Sequence, residues 1–187
     1  MENKETLITE YNSLREEIKN NSQVTAQIFT VTITATALLI GYATQTKNWI
    51  VFLSPFAVLI PSLWFISSQL ESTIRIATYI KTFIEPKIED LNWENKLFQL
   101  RRSGMMPERK YTLSITGIYG TIGLVCLVFS WVFMDYTTVN IIILSIVSPI
   151  VGGIMLFVAL DVKKCFGLDF YLKYCKVWEE LDNNRRL

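Results

Sequence analysis

Gln23, Gln27, Thr30 and Thr34 recur at i, i+4, i+7 and i+11 within a stretch that carries no charge. On an α-helix this spacing stacks them on one face, which Gly41 and Gln45 continue. Amides and hydroxyls among apolar residues are costly unless they meet water or a partner. Two readings follow. The stripe is one water-facing wall of a pore built by several subunits, or it is a helix–helix contact. The second is the commoner use of such residues, because a Thr hydroxyl also bonds carbonyls of its own helix and both glutamines lie at one end of the stretch.

A second group, Arg101, Arg102, Arg109 and Lys110, is basic. Guanidinium groups pair bidentately with phosphate oxygens, so the cluster suits a phosphate-bearing ligand such as a nucleotide signal. The same chemistry serves anionic lipid headgroups, the ordinary role of basic residues beside a membrane span. Catalytic residues are harder to find. The chain has no histidine, which removes the commonest general base and metal ligand. It shows no zinc-ligand spacing, Gly-rich phosphate loop or nucleophile elbow. We therefore expect no enzyme, no metal and no cofactor.

The elements that carry these residues follow from the charge pattern. Four stretches lack Asp, Glu, Lys and Arg entirely: Asn20 to Thr46, Asn48 to Leu70, Tyr111 to Met134 and Tyr136 to Leu160. A hydrocarbon core of roughly 30 Å needs about 20 helical residues, so each is long enough to span it. The runs are too long and too continuously apolar for barrel strands. The expected spans are about 23–43, 49–70, 111–134 and 137–160 of a single domain, with Pro55 and Pro61 kinking the second. Pro149 with Gly152 and Gly153 reads as a packing site or a hinge in the fourth.

Of the eighteen basic residues only Lys47 lies away from the N-terminus, the 71–110 segment and the C-terminal segment. The positive-inside rule then places both termini in the cytoplasm of a multi-pass inner-membrane protein. The outer turns fall near Lys47 and Asp135. A cleaved leader ending near Ala43 is disfavoured by an overlong apolar run and an acidic N-terminal region. Cys165 and Cys175 fall on the reducing side, where acylation of Cys165 is a weaker alternative to simple packing.

Helices are expected outside the spans over about 4–22, 71–103 and 161–184. Leu7, Tyr11, Leu14 and Ile18 make one apolar face; Ile76, Ile80, Phe83 and Ile84 a second; and Phe170, Tyr171, Tyr174, Val177, Trp178 and Leu181 a third. Ile88, Leu91, Leu97, Phe98 and Leu100 suggest a short amphipathic helix after Pro86 that ends near Ser103-Gly104. Gly167 marks a bend. The expected fold is all-α: four transmembrane helices in an antiparallel bundle whose helices extend into a packed cytoplasmic crown.

Two segments carry a resemblance: Glu10-Tyr11-Asn12-Ser13-Leu14-Arg15-Glu16-Glu17-Ile18, and Ile84-Glu85-Pro86-Lys87 with Trp93-Glu94. Together they resemble a broad group of small bacterial four-helix membrane proteins often associated with defence or signalling modules. The resemblance implies an effector that perturbs the membrane on a partner's signal. The expected function is thus a homo-oligomeric, channel-like membrane protein. Its expected partners are lipid, further copies of itself and a cytoplasmic protein or nucleotide signal, and no nucleic acid. The alternative is a non-conducting anchor or scaffold that presents its cytoplasmic helices to a protein.

Overall fold

The computed structural model describes residues 4–88, 90–103, 108–165 and 167–185, without the side chains of 108–113 and 185. The chain is 90% helical, in six helices with no strand among the described residues. These are α1 (Lys4–Thr46), α2 (Phe56–Tyr79), α3 (Trp93–Arg102), α4 (Glu108–Val132), α5 (Thr138–Cys165) and α6 (Leu168–Arg185). Four helical segments are long and apolar enough to cross a membrane, which supports membrane association: Lys4–Thr46, Val51–Lys87, Ser114–Val132 and Thr138–Cys165.

α1 is one uninterrupted helix of 43 residues, as the lack of Pro and Gly before Gly41 allows. Lys47 closes it in the left-handed region with φ 51°, its N–H donating to Ala43 O at 2.9 Å. The second span differs from expectation. A single 3₁₀ turn, Val51–Leu53, precedes Pro55, whose carbonyl accepts from Val58 and Leu59 N–H. Pro55 therefore opens α2 instead of kinking it, while Pro61 lies inside the helix. Proline suits this place because the first N–H groups of a helix lack intrahelical acceptors.

The end of α2 also departs from a regular helix. Ile80–Ile84 forms a π-helical turn in which Glu85 N–H reaches Ile80 O, followed by the 3₁₀ turn Glu85–Lys87. Pro86 has no N–H to continue the α ladder, and the wider turn reassigns the bonds around it. Ile88 and Leu91 fall in the irregular segment beyond, so the amphipathic helix expected after the proline is only the ten residues of α3. α5 runs unbroken through Pro149 and both glycines, and the next break is at Gly167.

The chain forms two compact units. The first comprises 1–25, 68–110 and 163–187; the second comprises 26–67 and 111–162. Lys47, Asp135 and Asp161 are the only charged residues of the second unit, so the division by packing matches the division by charge. In the first unit, Leu7, Ile76, Ile80, Ile84 and Ile88 make one core with Tyr11, Leu14 and Ile18 against it. Ile74, Cys165, Tyr171 and Cys175 make a second, joined by Phe98, Phe170 and Tyr174. Most residues of the apolar faces read from the sequence take part, but Val177 and Leu181 of the third face are exposed.

In the second unit Trp49, Met134 and Leu144 are buried together. Phe52 stacks on Phe133 at 5.3 Å and meets Phe129 edge-on at 5.5 Å. Ser62 Oγ lies 3.3 Å from the Tyr119 hydroxyl, and Ser67 Oγ donates to Asp161 Oδ2 at 2.8 Å. These bonds give Ser62, Tyr119, Ser67 and Asp161 polar partners among apolar helices, whereas the buried Thr36 hydroxyl has none among the described residues.

Candidate functional site

α3 has ten residues, and its N-cap, Asn92, makes no side-chain cap. Glu85 supplies one instead from across the irregular segment. Its Oε1 accepts Glu94 N–H at 2.6 Å, and its Oε2 accepts Asn95 N–H at 2.9 Å and Asn95 Nδ2 at 2.8 Å. Glu85 as a residue is 3% exposed. A negative charge here meets both the orphan N–H groups and the positive end of the helix dipole. Pro86 fixes the backbone directly after it, so the position of Glu85 is set by the turn that ends the preceding helix.

Glu94, 4% exposed, is the second buried acid. Arg15 Nη1 donates to Glu94 Oε1 at 2.8 Å and joins α1 to α3 within the first unit. The guanidinium also lies over the rings of Tyr11, at 5.6 Å, and Trp93, at 5.5 Å. Burial pushes the Glu94 carboxyl above its ordinary 4.5; Arg15 pulls it down, and the neighbouring Glu85 raises it again. The charge on Glu94 thus depends on Arg15 staying in place.

Alongside is a stack of cations and rings. Lys81 Nζ stands 3.3 Å from the Phe98 ring centre, Phe98 stacks on Tyr171 at 5.5 Å, and Arg101 lies 4.6 Å over Tyr171. Lys81 Nζ also lies 4.0 Å from Cys175 Sγ. Burial pushes the Cys175 thiol up, against the pull of Lys81. Tyr171 is 2% exposed and its hydroxyl has no hydrogen-bond partner among the described residues. Burial, and then the charge of Glu94, hold that phenol protonated.

Two expected results test these assignments. Glu85→Gln leaves one oxygen to accept and turns an NH2 toward the amides of α3, a loss of about 1–3 kcal/mol. Hydrogen exchange at the Glu94 and Asn95 amides should therefore speed up; unchanged exchange would remove Glu85 from its capping role. Tyr171→Phe deletes a buried donor that bonds nothing, so thermal unfolding in detergent should be unchanged or raised. A loss above about 1 kcal/mol would show that the hydroxyl has a partner.

The residues singled out from the sequence fall elsewhere or are divided. Gln23, Gln27, Thr30 and Thr34 do share a face of α1, and all four are exposed. Thr30 Oγ1 donates to Ala26 O and Thr34 Oγ1 to Thr30 O, both at 2.9 Å, so the hydroxyls are satisfied by their own helix. The buried face of α1 is the opposite one and bears Asn21, Thr25, Thr32, Thr36 and Ala43. In the basic cluster Arg101 is drawn onto Tyr171, while Arg102 is exposed. The side chains of Arg109 and Lys110 lie outside the described residues.

Arg15, Glu85 and Glu94 received no role from sequence. The available signal was their place in the segments that carry the resemblance: Glu85 directly before Pro86, and Glu94 directly after Trp93. Among the described residues no three His, Cys, Asp or Glu side chains are grouped to hold a metal. The fold and charge pattern define a helical, membrane-associated protein. No protein-family model, curated protein or solved structure matches the chain.

Proposed function

We propose that the chain is a homo-oligomeric membrane effector that permeabilises the bilayer on a cytoplasmic signal and performs no catalytic step. In this reading the four spans form an antiparallel bundle in the inner membrane. The first unit, which holds both termini and all but one of the basic residues, is the cytoplasmic receiver of a protein or nucleotide signal. The resemblance to defence-associated membrane proteins supports the same assignment.

The observation that carries the proposal is the orientation of α1. Its buried face is Asn21, Thr25, Thr32, Thr36 and Ala43, so Gln23, Gln27, Thr30 and Thr34 point away from the chain's own core. An amide in hydrocarbon is costly unless bonded, and a second copy of α1 or a water-filled path offers the bonds. Gln27 is the critical residue because the threonines already bond their own helix.

The test is dye release from liposomes containing the purified protein, with Thr34→Cys disulfide cross-linking to detect neighbouring copies. The expected result is cross-linked oligomers and release that falls at least tenfold in Gln27→Leu/Thr30→Leu. Cross-linking without release, even with cell extract added, would instead establish the non-conducting scaffold. That second reading draws on the self-satisfied hydroxyls of Thr30 and Thr34, which need no water.

A further inference from the structure

The second unit contains a cavity of about 360 Å³ between α2, α4 and α5. Phe56, Leu63 and Tyr119 form its buried floor, while Gly120 and Gly152 hold two walls open. A Cβ added at either glycine would meet nothing within 4 Å. Gly123 differs, since its Cβ would come within 3.2 Å of Phe56 Cε1, so it sets close packing beside the void. The packing expected of Gly152 is therefore not made within the chain. Gly152 opens space instead.

The lining is almost wholly apolar; of its two hydroxyl-bearing residues, Tyr119 has Ser62 as a neighbour and Thr116 also has an interaction partner. Water gains little there, because it needs two or more polar partners. At the rim Leu124 is 63% exposed and Leu156 61% exposed. Both belong to helices apolar enough to lie in hydrocarbon, so the mouth faces the medium that bathes those spans. A helix with its side chains is about 10 Å across and cannot reach a floor of buried Phe and Leu between three packed helices. An extended hydrocarbon chain can.

We propose that this cavity is a binding site for a lipid acyl chain, entering laterally past Leu124 and Leu156. The occupant completes the packing that Gly120 and Gly152 leave unmade, and it ties the second unit to the bilayer through a defined contact. This site is independent of α1 and its polar stripe, so it stands whether or not the protein conducts.

The experiment uses the full-length protein in vesicles of phosphatidylethanolamine and phosphatidylglycerol containing a trace of phospholipid with a diazirine near the acyl terminus. After illumination, labelled residues are mapped by mass spectrometry. The expected result is labelling concentrated on the cavity floor and on Met155, reduced at least fivefold in Gly120→Leu, while the exposed Val31 and Leu38 of α1 label as before. Leu156→Trp, which narrows the mouth without entering the core, should reduce it as well and guards against misfolding in the first variant. Floor labelling no higher than that of Val31 and Leu38, or unchanged by both variants, would overturn the proposal. So would disulfide cross-linking between copies through Gly152→Cys, which would place a neighbouring protein at the mouth.

Discussion

Arg15→Ala is expected to loosen the first unit by about 3 kcal/mol, the lower part of the range for breaking a buried ion pair, because the guanidinium keeps some solvent contact. The loss arises from Glu94, left buried beside Glu85 without its cation, more than from the attraction itself. Hydrogen exchange across α3 should accelerate by about two orders of magnitude, since each 1.4 kcal/mol is tenfold. Exchange within a fewfold of the wild type would show that the pair contributes little.

The pH dependence has a definite sign. Burial raises the Glu94 carboxyl in the folded protein, so the native state binds a proton that the unfolded state releases above 4.5. The corresponding stability is complete below that value and is lost as pH rises through the folded pKa. Arg15→Ala removes the main opposing influence and should widen this window. The variant is thus expected to recover on acidification from pH 8 toward 5 more than the wild type does. Arg15→Ala/Glu94→Gln should lose the extra slope. If the double variant keeps it, another group titrates.

Much of the fold is legible because a bilayer imposes coarse rules. An uncharged run of sufficient length has few alternatives to a spanning helix, and Lys47, Asp135 and Gly167 mark breaks that local chemistry demands. The face of α1 that packs inward was not legible. Threonines and amide side chains recur on both sides of this helix, Gln on one and Asn21 on the other, so periodicity alone does not choose, and only the tertiary packing selects Thr25, Thr32 and Thr36 over Gln27, Thr30 and Thr34. The Glu85 cap was hidden for a different reason. It bonds residues nine and ten positions away across an irregular segment, a separation that no helical or strand period encodes. Likewise, Gly152 reads as a packing or hinge glycine until the neighbouring helices are in place and leave a void beside it and Gly120.

Trp178→Ala is expected to free α6. The indole N–H donates to Thr78 Oγ1 at 3.1 Å, and the ring meets Tyr79 and Phe83 edge-on at 5.4 and 6.1 Å. Thr78 is fully buried, with its own hydroxyl turned to the carbonyls of Ile74 and Arg75, so removing the indole opens a gap over a polar group. Truncating a core Trp costs about 3–5 kcal/mol, and half-burial brings this to about 2–3 kcal/mol. The readout is Cys175, buried on the same helix one turn before Trp178 and less acidic than a free thiol. In a Cys126→Ala/Cys165→Ala background its maleimide labelling in the native protein should be slow and should climb with pH past neutrality, because the thiolate is the reacting form. Trp178→Ala should raise the rate by roughly 30- to 150-fold, as the opening that exposes the thiol becomes cheaper by that energy. Trp178→Phe, which keeps a ring against Tyr79 and loses only the bond to Thr78, should fall between the two. Equal rates for all three would mean that α6 is held by Phe170, Tyr171 and Tyr174 alone, and that the aromatic cluster at Trp178 does not anchor it.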